Sequence, residues 1–275
     1  MGVKLYSEVL GREVEVPEHP ERIVSLAPAI TETLYLLGLE DRIAGVSHFC
    51  NKPPRAKEKP RLGSYFQVNY KKLDELNPDL ILVTTGAQRR LALELDEKGY
   101  RVYPIPLPVS VPGVIDMTVQ VGLVTGEIAG ARRLSSTLTE KLAQIKPLGG
   151  TVRAYYEIDL GGPVSIGANS YIGDALDRIG LDHAFKDKRQ SWIINPSPEE
   201  IIEYDPQVII YEKAPYKPYK DEKILEDLKA RGLDKTTALR EGNIVILEPD
   251  SLAHYGPSLI DTLATLRDKI KERLG

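Results

Sequence analysis

The stretch ERIVSLAPAITETLYLLGLEDRIAGVS, residues 21–47, decides the fold. The apolar residues 23–26 predict a short buried strand, which Pro28 ends. A helix opens at Thr31 and stops at Gly38, and residues 43–46 begin the next strand. Because open α/β sheets bind ligands where a strand gives way to a helix N-terminus, this unit predicts both an α/β fold and the edge of the sheet that carries the site.

Composition places the chain among ordinary globular proteins and excludes several functions. The 275 residues are 42% hydrophobic and 28% charged, with a formal net charge of −4. Without a dense basic stripe, nucleic-acid binding is not expected. Cys50 is the only cysteine, so an intrachain disulfide is excluded. No window holds 18 uninterrupted apolar residues, so no transmembrane helix is expected.

The second half of the sequence repeats the design of the first half. Each repeat pairs a helix end with a following apolar strand, and the three pairs occur in the same order. They are KKLDELNPDLILV (71–83) with EEIIEYDPQVIIY (199–211), TETLYLLGLEDRI (31–43) with IGDALDRIGLDHAF (172–185), and LDEKGYRVYPI (95–105) with LREGNIVILEP (239–249). This order predicts two α/β lobes, each with a central, mostly parallel sheet flanked by helices.

Between the two halves, residues 110–147 contain few helix-breaking residues and therefore predict one long helix. At a rise of roughly 1.5 Å per residue it would reach about 50 Å, enough to join two lobes. Gly122, Gly126 and Gly130 recur every four residues and predict a close-packing face on that helix. The expected organisation is an N-terminal lobe (1–111), a connecting helix (112–147) and a C-terminal lobe (148–275), with a ligand cleft between the lobes.

Ordered segments over nearly the whole chain resemble one family. They are GREVEVPEHPERIV (11–24), RIVSLAPAITETLYLLG (22–38), GVSHFCNKPP (45–54), PRLGSYFQVNYKKLDELNPDLIL (60–82) and SPEEIIEYDPQVII (197–210). The set is similar to the helix-linked substrate-binding proteins of ABC importers for cobalamin, ferric siderophores and haem. The resemblance implies a binding protein without catalytic residues, whose ligand is a metal chelate and which holds no cofactor of its own.

The same resemblance implies a partner and a location. Members of this family dock on an ABC permease through one surface Glu on each lobe. Glu199 matches the C-lobe position, whereas Lys71 occupies the N-lobe position and reverses its charge. The alternatives are that Asp74 or Glu75, one turn along, takes its place, or that the partner permease differs. An extracytoplasmic, monomeric protein is implied. The N-terminus predicts a hairpin and not a signal peptide, so an export signal is expected to have been removed.

Loops that follow the strands supply the candidate ligand residues. Phe49 and Tyr65 match family positions that often carry aromatic side chains, and Trp192 lies within a residue of another. Aromatic faces suit a planar corrin or porphyrin, although half-buried packing residues are the alternative. Arg89, at a predicted helix N-terminus, suits an anionic ligand group, with a solvated helix face as the alternative.

His254 and Tyr255 follow a C-lobe strand and complete the predicted ligand residues. With His48 and Glu157 they would offer nitrogen and oxygen ligands for iron, and hydrogen-bonding loop residues are the alternative. No metal-ligand spacing such as H-E-x-x-H occurs, so a metal site of the protein's own is not expected. Two other functions stay open: a cytoplasmic tetrapyrrole chelatase with His48 or His254 as its base, and a receptor for a bare metal ion.

Overall fold

The computed structural model describes residues 2–189, 193–216 and 219–275. The chain forms two compact units. One, the N unit, consists of Met1–Pro108 and Pro112–Glu140; the other, the C unit, consists of Val109–Val111 and Lys141–Gly275. Most of the predicted connecting segment thus belongs to the N unit. The lobe boundaries drawn from the sequence at residues 111 and 147 stay a prediction.

The N unit begins with an antiparallel hairpin and continues as a parallel α/β sheet. The hairpin consists of β1 (Gly2–Ser7) and β2 (Arg12–Pro17). The remaining elements are β3 (Ile23–Ser25), α1 (Pro28–Leu36), β4 (Ile43–Val46), α2 (Tyr70–Leu76), β5 (Leu80–Thr84), α3 (Arg89–Glu97) and β6 (Val102–Ile105). The sheet order is β4-β3-β5-β6, and all three pairings are parallel.

Helix α1 begins at Pro28, three residues before the Thr31 start that the sequence suggested. Proline favours the first turn of a helix because its fixed φ matches the helix and its missing N–H has no intrahelical partner there. Pro28 therefore starts the helix, whereas β3 has already ended at Ser25.

The segment between the two halves is two helices, and the prediction of one unbroken helix is wrong. Helix α4 (Val111–Thr125) ends before Gly126, and helix α5 (Ile128–Gln144) starts after it. Gly126 has a φ of +79°, a left-handed conformation that terminates helices. A Cβ on Gly122 would lie 2.2 Å from the Cβ of Ala131, so this glycine makes room for the start of α5.

The predicted close-packing face of glycines is therefore a helix junction. Gly122 faces Ala131 across the junction and Gly126 forms the turn itself. A Cβ on Gly130 would meet only ordinary contacts, the nearest being Leu37 at 3.7 Å.

The C unit is a mixed sheet with parallel strands at its centre. In chain order its elements are β7 (Val152–Asp159), β8 (Pro163–Ile166), α6 (Tyr171–Arg178), β9 (Leu181–His183), β10 (Ile193–Ile194), α7 (Pro198–Tyr204), β11 (Val208–Glu212), α8 (Asp221–Ala230), α9 (Thr237–Glu241), β12 (Ile244–Leu247) and α10 (Leu259–Leu274). The strand order is β10-β8-β7-β11-β12, with β9 paired to β7. Strands β7, β11 and β12 are parallel, and β8 is antiparallel to β7.

The repeated Asn/Asp-Pro segments have the same backbone in both units. Helix α2 ends at Asn77 with φ +43° and helix α7 ends at Asp205 with φ +48°. Asn and Asp tolerate the left-handed conformation better than other non-glycine residues, and the following proline prevents the helix from resuming. The central strands β5 and β11 then follow, which confirms this part of the predicted repeat.

Each unit has its own hydrophobic core between sheet and helices. In the N unit, apolar side chains of β3 and β5 pack against α2 and α3: Val24, Leu73, Ile81, Val83, Leu91 and Leu95. In the C unit, β7 and β11 pack against α7 and α8 through a second set: Tyr155, Ile201, Ile209, Tyr211, Ile224 and Leu228. Among the described residues, no helix is both long and apolar enough to span a bilayer.

Candidate functional site

The carboxyl edge of the N-unit sheet carries three aromatic side chains, and the middle one, Tyr65, contacts the other two. Phe49 follows β4, and Tyr65 and Phe66 lie in the loop before α2. The Phe49 and Tyr65 rings meet edge to face at 6.4 Å, and those of Tyr65 and Phe66 at 5.4 Å, both within the range of favourable aromatic pairs. Phe66 is 63% exposed. We call these three residues the aromatic cluster.

The loop that carries Phe49 is fixed by Arg61. The Arg61 guanidinium donates to the backbone oxygens of Ser47, at 2.5 Å, and Cys50, at 3.0 Å. Cys50 is completely buried, and its thiol contacts the hydroxyls of Ser47 and Thr31. Burial raises the pKa of the Cys50 thiol. This cysteine therefore anchors the loop and is poorly suited to act as a nucleophile.

Three of the predicted binding and docking residues lie at helix starts and are exposed. Arg89 is the first residue of α3. Lys71 and Glu199 are each the second residue of their helices, α2 and α7. The two helices begin alike, because Asn69 and Ser197 cap them by accepting a hydrogen bond from a backbone N–H. Lys71 and Glu199 therefore hold equivalent positions with opposite charge, and their roles stay predictions.

In the C unit, a buried carboxylate at the end of β11 holds the loop before His254 and Tyr255. Glu212 is 0% exposed. It accepts hydrogen bonds from the backbone N–H groups of residues 251–253 at 2.9–3.1 Å. It also accepts one from the Tyr156 hydroxyl at 2.9 Å. Burial raises the pKa of the Glu212 carboxyl to about 7, and the backbone N–H groups and the Tyr156 hydroxyl oppose this rise because they stabilise the charged form.

His254 and Tyr255 themselves are mostly buried. Their exposed fractions are 4% and 8%. The Tyr255 ring packs edge to face on Tyr171 at 5.7 Å. Contact of either side chain with a ligand stays a prediction, and the third predicted ligand residue of this half, Trp192, lies outside the described residues.

Glu157 is not available as a metal ligand, contrary to one option drawn from the sequence. Its buried carboxylate accepts two hydrogen bonds from Arg231, at 2.8 and 2.9 Å, and one from the Tyr155 hydroxyl at 2.5 Å. Burial raises the pKa of Glu157, while Arg231 opposes the rise. Within residues 2–189, 193–216 and 219–275, no three His, Cys, Asp or Glu side chains are grouped so as to hold a metal ion.

Sequence reasoning missed Arg61, Gln88 and Glu212, the polar residues that hold the loops. Gln88 and Glu212 are completely buried, and their partners lie far away in the sequence, up to 62 residues for Gln88 and 56 for Glu212. For Glu212, the last residue of the apolar strand β11, a polar residue at a strand end was the available signal. It indicates the edge of a sheet but not the loop to which the side chain binds.

The family described as "Periplasmic binding protein" matches residues 23–251. This range begins with β3 and covers both sheets described above. The chain therefore belongs to the periplasmic binding protein family, which confirms the resemblance and the predicted α/β class.

Individual relatives agree with this assignment. The chain is 25% identical over 261 residues to a cobalamin-binding protein of Halobacterium salinarum, covering 92% of this chain and 70% of that protein. It is 24% identical to an ABC transporter substrate-binding lipoprotein of Bacillus subtilis, over 94% of this chain and 82% of that protein. Its fold is similar to that of a periplasmic heme-binding protein from Roseiflexus, with a TM-score of 0.81 at 22% identity over 93% of this chain and 99% of the other.

Proposed function

We propose that this protein is an extracytoplasmic solute-binding protein that captures a metal chelate and delivers it to an ABC permease. Membership of the periplasmic binding protein family supports the binding role. The relatives named for cobalamin and for an ABC transporter lipoprotein support a transport setting and an extracytoplasmic location. The ligand classes are a corrinoid, a haem and a ferric siderophore, and the protein acts as a monomer.

The observation that carries the proposal is the aromatic cluster at the carboxyl edge of the N-unit sheet. Phe49, Tyr65 and Phe66 offer ring surface, and Phe66 is mostly exposed. Such a surface suits the flat, largely apolar face of a corrin or porphyrin, since burial of that face drives binding and a few polar groups orient it. In this proposal Arg89, exposed at the start of α3, attracts an anionic side group of the ligand.

Alanine variants of the aromatic cluster test this role. We expect the double variant Phe49→Ala/Tyr65→Ala to bind its ligand about 10- to 100-fold more weakly, because each aromatic contact contributes about 0.5–1.5 kcal/mol beyond area burial. Isothermal titration at 25 °C measures Kd for cyanocobalamin, haem and a ferric hydroxamate siderophore. Tyr6→Ala, which removes a 62% exposed aromatic ring from β1, is the control and keeps the wild-type Kd. Equal affinity of the double variant and the wild type would place the ligand elsewhere.

Docking on the permease is proposed to use Glu199, with Lys71 as the equivalent residue of the N unit. Both are exposed in the first turns of α7 and α2. We expect Glu199→Arg to reduce the stimulation of the permease ATPase at least about fivefold while Kd for the ligand is unchanged, since reversing a rim charge acts on docking and not on the ligand site. Reconstituted transporter in lipid nanodiscs gives this readout. Full stimulation by Glu199→Arg would remove Glu199 from the docking surface.

A further inference from the structure

Gln88 is a completely buried amide at the carboxyl edge of the N-unit sheet, one residue before α3. Its Oε1 accepts hydrogen bonds from the backbone N–H and the hydroxyl of Thr84, at 2.9 and 3.1 Å. Its Nε2 donates to the backbone oxygens of Leu26, at 3.0 Å, and Tyr65, at 2.9 Å. An amide side chain has two donor hydrogens and two acceptor lone pairs, so all of its hydrogen-bonding capacity is used.

These four bonds join three separate parts of the chain. Leu26 directly follows β3, Thr84 ends β5, and Tyr65 belongs to the loop before α2. The base of that loop is closed by its own backbone, through a bridge between Gly63 and Val68. The bond from Gln88 to the Tyr65 oxygen instead ties the tip of the loop to the sheet.

Tyr65 is linked to the same pair of residues a second time, through its ring. The Tyr65 hydroxyl lies 3.2 Å from the Thr84 hydroxyl, which in turn donates to Gln88. Hydrogen bonds with Gln88 and Thr84 therefore fix both the backbone oxygen and the phenol of Tyr65 relative to the end of β5. Since neighbouring hydrogen bonds in a buried network reinforce one another, the orientation of the Tyr65 ring depends on the Gln88 amide.

We infer that Gln88 is a positioning residue for ligand binding, which holds the Tyr65 loop, and with it Tyr65 and Phe66, in the orientation that receives the ligand. The inference rests on the proposed binding function. Gln88 itself is covered and acts through Tyr65. A rigid, preorganised ring binds more tightly than a mobile one because less ordering is needed when the ligand arrives.

Two substitutions separate the links that Gln88 makes. Gln88→Met has nearly the same length and removes all four hydrogen bonds. Gln88→Glu, studied at pH 8, keeps oxygen acceptors for Thr84 and loses the donors to Leu26 and Tyr65. Gln207→Met is the matched control, because the Gln207 amide also accepts a hydrogen bond from a backbone N–H, that of Arg153 at 3.1 Å, but lies at the amino end of β11.

Two readouts are compared at a temperature where circular dichroism shows every variant folded. The first is Kd by isothermal titration with cyanocobalamin, haem and a ferric hydroxamate siderophore. The second is amide hydrogen exchange of peptides that cover residues 63–69. If Gln88→Met and Gln88→Glu do not fold, Thr84→Val, which removes the hydroxyl between Tyr65 and Gln88, is measured in their place.

We expect both Gln88 variants to bind about tenfold or more weakly and the 63–69 amides to exchange at least about tenfold faster, because the loop loses its link to the sheet. Gln207→Met is expected to leave Kd and this local exchange unchanged. If the wild-type protein binds one of the three ligands and Gln88→Met binds it with the same Kd, the inference is wrong and the proposed function stands. Wild-type protein that binds none of them overturns the proposed function and the inference together.

Discussion

Arg231→Ala is expected to lower the free energy of unfolding by about 3–5 kcal/mol, because it leaves the buried Glu157 carboxylate without its counter-charge. Arg231 contacts both oxygens of Glu157, whose side chain is only 3% exposed. The Tyr155 hydroxyl remains as a donor but carries no charge. Urea unfolding followed by circular dichroism measures the loss. Arg178→Ala, which breaks an exposed pair with Asp174 on α6, is the control and costs about 0.5 kcal/mol or less.

The loss of stability in Arg231→Ala depends on pH, in a direction set by the ionisation of the Glu157 carboxylate. Without the guanidinium, burial raises the pKa of Glu157 further, so the folded state takes up a proton at a pH where the unfolded chain does not. The variant therefore loses stability as pH rises through that raised pKa, and the deficit is larger at pH 8 than at pH 5. Adding Glu157→Gln recovers much of the loss, since a neutral amide needs no counter-charge. A deficit that is equal at both pH values would contradict the buried-charge explanation.

Gly126→Ala is expected to destabilise the protein by about 3 kcal/mol or more, through backbone strain and a clash together. Gly126 has a φ of +79°, and an added Cβ would lie 2.2 Å from the backbone oxygen of Glu18 and 2.8 Å from Nδ1 of His19. At 2.2 Å something must shift, and the end of α4 is held in place by the buried residues Val124 and Thr125. The break between α4 and α5 therefore requires glycine.

Gly99→Ala is a closely matched control for this prediction. Gly99 has a φ of +83°, but an added Cβ would meet no atom within 4 Å. It carries the strain without the clash, and we expect a cost of about 1 kcal/mol. Urea unfolding of both variants under the same conditions gives the difference. Equal losses would show that the contact with Glu18 relaxes without cost, and that left-handed strain alone accounts for the requirement at Gly126.

Much of the fold could be predicted because its units repeat local signals. The Asn-Pro and Asp-Pro segments at residues 77 and 205 each mark a helix end followed by a buried strand, and both were read correctly. The break at Gly126 was missed because three glycines spaced by four residues also fit one face of a continuous helix. A broken helix differs from a continuous one by the positive φ of Gly126, and the sequence alone does not show a dihedral angle.

The candidate site was less predictable because its order comes from contacts between distant residues. Phe49 and Tyr65 were selected from family positions, and the structure brings their rings together at the carboxyl edge of one sheet. Their supports, Arg61 and Gln88, gave no local pattern, since their hydrogen-bond partners include backbone atoms of other loops. A side chain that binds a remote backbone oxygen leaves no periodicity or spacing in the sequence.

The most direct test of the binding role is a titration of the wild-type protein with cyanocobalamin, haem and a ferric hydroxamate siderophore. Trp192, the only tryptophan of the chain, provides the fluorescence signal, and isothermal titration gives the stoichiometry. The proposal predicts that one ligand class binds saturably, at one site, with a Kd of about 1 µM or tighter. A folded protein that binds none of the three, but inserts a metal ion into a tetrapyrrole, would contradict it and favour the chelatase alternative.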